Sequence, residues 1–110
     1  MASKNKASVV PSSGNVFLDL GLKDAGEKKT KVRLAVAINE ILDEARLPQA
    51  QAADQLGVNQ PKISALRNYR LEGFSVERLM GFLNALGRDV EIVIRRARPR
   101  RTPRIHVTAA

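Results

Sequence analysis

The tightest constraint on this chain lies in residues 49–66, where two short helical stretches are joined by only three residues. The first, residues 49–56, is rich in Gln and Ala and runs into Gly57, which can take the left-handed conformation that ends a helix. The second, from residue 60 to about 69, starts behind Asn59, a capping residue, and tolerates Pro61 in its first turn. Helices so closely joined cannot stack in line and must cross at a steep angle. Ala53 is small where they would cross, and Val58, Ile63 and Leu66 would bury the inner side of the second helix.

The flanks add more helix. A short turn of helix is expected over residues 15–20, closed by Gly21. Asp24 with Glu27 resembles a capping box, and Leu34, Ile38, Ile41, Leu42 and Ala45 then share one face, so a helix over residues 25–46 is expected. It stops where Leu47 precedes Pro48, because a proline disfavours helical geometry in the residue before it. Ser75 caps a last helix with the apolar stripe Val76, Leu79, Met80, Leu83 and Leu86, ended by Gly87. After five helices the period changes to two. Val90, Ile92 and Ile94 alternate with Glu91, Val93 and Arg95, which predicts a strand over residues 88–95.

A lone strand leaves its backbone unpaired. Its partner is either the same strand of a second copy, making a dimer through Val90, Ile92 and Ile94, or residues 105–108 folding back as a hairpin. The dimer is favoured, since the nine intervening residues carry two prolines, many arginines and no tight-turn signal.

Charge is unevenly placed. The chain of 110 residues carries +8. Residues 15–87 hold ten Lys or Arg against nine Asp or Glu, whereas residues 1–14 contribute +2 and residues 88–110 contribute +5. The expected organisation is a disordered segment 1–14, a domain 15–87, the strand 88–95 and a basic tail 96–110. Terminal charge suits sequence-blind attraction to phosphates, with selectivity supplied elsewhere. That elsewhere is the outward side of the second short helix: Asn59, Gln60, Lys62, Ser64, Ala65 and Arg67 are polar or small, and such a surface fits a major groove and meets base edges. The plainer alternatives are an ordinary corner between two helices and, for Lys62, Arg67 and Arg70, a solvated face.

Other classes of function are disfavoured. Without cysteine there is neither a disulfide framework nor a thiolate metal site, which suits a reducing cytoplasm. A solitary histidine, His106 in the tail, and acids scattered over helix surfaces assemble no nucleophile, base or metal cluster, so no enzyme, metal or cofactor is expected. The start has no apolar run suited to a signal peptide or membrane span. Few aromatic residues argue against stacking on single-stranded bases.

The stretch from Gln49 to Leu66 resembles the helix-turn-helix of the phage-repressor-like (XRE) family. The order of Gly14-Asn15-Val16-Phe17-Leu18-Asp19-Leu20-Gly21-Leu22, this motif, Gly73-Phe74-Ser75-Val76-Glu77-Arg78-Leu79 and Gly87-Arg88-Asp89-Val90-Glu91-Ile92 is similar to short HigA-type antitoxin-like regulators. The resemblance implies an all-α, five-helix lambda-repressor-like DNA-binding domain and a sequence-specific transcriptional regulator, a dimeric repressor of its own operon, on double-stranded DNA. It implies that Gln49 contacts the DNA backbone and that Asn59 and Gln60 read the groove. Pro61 and Pro48 depart from the common pattern; the first removes a donor from the reading surface, the second a side-chain cap. A second role follows from the same resemblance, that of an antitoxin holding a small basic ribonuclease-type toxin, with the acids Glu40, Asp43 and Glu44 or the N-terminal segment facing it.

Overall fold

The computed structural model describes residues 20–109, with side chains from residue 26 onward. Four α-helices follow one another among the described residues: α1 (Leu20–Ala45), α2 (Gln49–Leu56), α3 (Gln60–Arg67) and α4 (Val76–Ala85). On α1, Leu34, Ile38 and Leu42 recur every four residues and are buried together with Ala35, whereas Ile41 is half-buried and Ala45 exposed. α4 buries Leu79, Phe82 and Leu83 on the same rule, and Leu86 follows just past its end. α1 packs on α4 and α3, and α2 closes the core with Ala52, Ala53 and Leu56. Phe74, in the link between α3 and α4, meets Phe82 edge to face with ring centres 5.9 Å apart.

Two expectations are corrected here. α1 runs without a break through Gly21 and Asp24, so neither the stop at the first nor a new helix start at the second occurs. An interior glycine costs a helix only about 1 kcal/mol, less than abandoning the hydrogen-bond ladder on both sides of it. Four helices therefore replace five among the described residues; residues 15–19 of the expected first helix, and the expected disordered segment 1–14, lie outside them. The second correction concerns the expected strand at residues 88–95. No strand forms among the described residues, and residues 105–108 do not pair with that segment as a hairpin. A ladder needs a second strand, and the described residues supply none.

The C-terminal segment is instead tied to the domain at two points. Val90 and Val107 are both half-buried and pack against the core. Between them the chain is irregular, with one turn in which Arg101 N–H donates to Arg98 O at 3.3 Å and Arg100 takes φ +65°. No helix among the described residues is long and apolar enough to cross a membrane.

Candidate nucleic-acid interface

The pose of α3 is set first by its ends. Asn59 is extended, and its Oδ1 accepts from Lys62 N–H at 2.9 Å, satisfying one of the free amides of the first turn. Before it, Gly57 at φ +71° closes α2, its own N–H donating to Asp54 O and Val58 N–H to Ala53 O. A side chain at Gly57 would meet open space, so the left-handed backbone alone explains glycine there. α2 itself begins without a side-chain cap; Pro48 offers only its carbonyl, which accepts from Ala52 N–H at 2.9 Å.

The inner side of α3 is then fixed twice over. Ile63 and Leu66 are fully buried, Ala53 is buried where α2 meets them, and Val58 is half-buried. A polar brace adds direction. Asn39 of α1, 5% exposed, donates from Nδ2 to Leu66 O at 3.2 Å. Arg67 Nη1 donates to both Asn39 O and Asn39 Oδ1 at 3.1 Å, and Nη2 bonds Asp43 Oδ1. A guanidinium fork on two acceptor residues holds both the height and the rotation of the end of α3 against α1.

The side chains expected on the outer surface divide into two groups. Gln49, Asn59, Gln60 and Pro61 are exposed. Lys62, Ser64, Ala65 and Arg67 are half-buried. Arg67 turns inward to α1, as just described, and so differs from its expected outward course. Lys62 folds back over the α3–α4 link, with Nζ donating to Gly73 O at 3.0 Å and lying 4.7 Å from the centre of the Phe74 ring. The physical reason is common to both: a long cation at the edge of a helix finds acceptors within reach, and its stem covers apolar surface on the way. Of the acids Glu40, Asp43 and Glu44, Asp43 is engaged by Arg67, and all three are exposed. Val90 is half-buried, whereas Ile92 and Ile94 are 75% and 93% exposed.

Two residues escaped the sequence reading. Asn39 is polar within the run Leu34, Ala35, Ile38, Leu42, and that break in an apolar stripe was the available signal. Tyr69, immediately past α3, is 45% exposed and left-handed at φ +61°.

Two crossed helices on a left-handed glycine, the second capped by asparagine and presenting an exposed polar first turn, define a helix-turn-helix domain of the DNA-binding kind. Comparison with known proteins agrees. A family model described as a helix-turn-helix domain matches residues 16–95. A solved structure whose name places it in the XRE family of transcriptional regulators is 66% identical, with a TM-score of 0.76 over 79% of this chain and 99% of that one. No curated protein matches the chain. The chain belongs to this helix-turn-helix family and is an XRE-type protein, of the class of DNA-binding transcriptional regulators.

Proposed function

We propose that the protein is a sequence-specific, dimeric repressor of its own operon, acting in the cytoplasm, with the α3 helices of two copies in successive major grooves of an imperfect palindrome about one helical turn apart. The observation that carries this reading is the exposed first turn of α3, Asn59, Gln60 and Pro61, on a helix whose opposite side is held by Ile63, Leu66 and the Arg67 fork. A surface that reads bases must be rigid, because each bidentate contact discriminates by only about 1–3 kcal/mol and tolerates little misalignment. Gln60 is the base-reading side chain, Gln49 a backbone contact at the start of α2, and Ser64 and Ala65 the small residues that let the helix approach.

Pairing of residues 88–95 between copies favours the dimer. Ile92 and Ile94 are large, apolar and exposed in a segment with no strand partner among the described residues, and a two-fold ladder would satisfy the backbone and cover both side chains.

Gel-shift titration against the protein's own upstream region tests the reading. Gln60→Ala is expected to bring affinities for that region and for random duplex together by about five- to a hundredfold while leaving the salt slope unchanged. Unaltered discrimination in that variant would contradict it.

A further inference from the structure

We propose that residues 95–104 form a second DNA-contacting element, an arginine loop that enters an A·T-rich minor groove beside the site taken by α3. The proposal rests on the reading of this chain as a duplex-DNA binder. Six arginines lie here, at 95, 96, 98, 100, 101 and 104, and all six are exposed. No acid follows Glu91 in the sequence, so the segment brings no carboxylates of its own to neutralise them.

Their type matters as much as their charge. Every cation in the segment is arginine, whose planar and weakly hydrated guanidinium enters a narrow minor groove more readily than an ammonium, and A·T-rich tracts are where that groove is narrow and most negative. Pro99 and Pro103 keep the backbone out of helix, and an extended strand of chain is slim enough for a groove about 6 Å wide.

The segment is also held at both ends. Val90 packs on the core at one end, and at the other Val107 lies with Val32, Val36 and Ala37 of α1 in a shared apolar pocket. Tethering lowers the entropy lost when the loop settles on DNA. The sixteen residues between the anchors can still project roughly 25 Å as a doubled-back loop at about 3.4 Å per residue, beyond the roughly 17 Å that separates a major groove from the next minor groove.

Fluorescence anisotropy on length-matched poly(dA)·poly(dT) and poly(dG)·poly(dC) duplexes tests this with the full chain, a variant with all six arginines changed to lysine, and Gln60→Ala. The wild type is expected to prefer the A·T duplex by about tenfold and to lose that preference when netropsin fills the minor groove. The lysine variant should bind both duplexes about equally with the same salt slope, and Gln60→Ala should keep the preference. Equal binding by the wild type, or a preference that survives in the lysine variant, overturns the proposal. Should Gln60→Ala leave discrimination of the upstream region intact while the A·T preference stands, only the α3 reading fails; absence of binding to any duplex removes both.

Discussion

Each of the four helices must hand its chain to a residue in left-handed space, and those residues are Arg46, Gly57, Tyr69 and Gly87. The bonding is the same in all four: Leu47 N–H reaches Leu42 O, Val58 N–H reaches Ala53 O, Arg70 N–H reaches Ala65 O and Arg88 N–H reaches Leu83 O, at 2.8–3.1 Å. Where the residue is glycine the stop is visible in the sequence. At Arg46 and Tyr69 it is not, because a side chain there works against the backbone and only the completed fold compensates. Tyr69→Gly is therefore expected to raise stability by about 1 kcal/mol and Gly57→Ala to lower it by about 1–2 kcal/mol, read by urea denaturation. Arg67 gives a sharper test. Because its guanidinium is spent on Asn39 and Asp43, Arg67→Ala should destabilise the fold yet leave the salt slope of DNA binding unchanged, whereas loss of a phosphate contact would reduce that slope by about 0.9.

Among elements, α2 and α3 had the clearest sequence signals, since a glycine, an asparagine cap and alternating burial all converge on one short stretch. The long α1 was less legible at its start: Gly21 and Asp24 are local stop and start signals, and both were overridden by the continuity of the helix. The orientation of Lys62 and Arg67 could not be read either, because it depends on acceptors 11 and 28 residues away in sequence. α2 has one open weakness, its uncapped start. Pro48→Thr supplies a side-chain oxygen for the first turn and is expected to raise the midpoint of thermal unfolding, by a gain of about 0.5–1 kcal/mol. Truncating Leu79, fully buried where α4 meets the core, to Ala should cost about 2–5 kcal/mol.

For the whole molecule, the proposed function divides the labour between the helical domain and the basic C-terminal segment. Truncation after Ile94 is expected to lower affinity on every duplex sequence, most on A·T-rich ones, and to flatten the salt dependence while the discrimination supplied by Gln60 is kept, as gel shifts over a salt series would show. The alternation at residues 88–95 predicts a strand and yet forms no ladder among the described residues, because pairing is a property of two segments and a sequence shows only one. The proposed function depends on α3 offering its capped end to DNA while its far end stays clamped to α1. Amide chemical-shift mapping during titration with a duplex from the upstream region measures this directly. The largest changes are expected at Gln49 and at Asn59, Gln60, Lys62, Ser64 and Ala65, with Asn39 unmoved; perturbations confined to α1 and α4, with the start of α3 silent, would contradict the account.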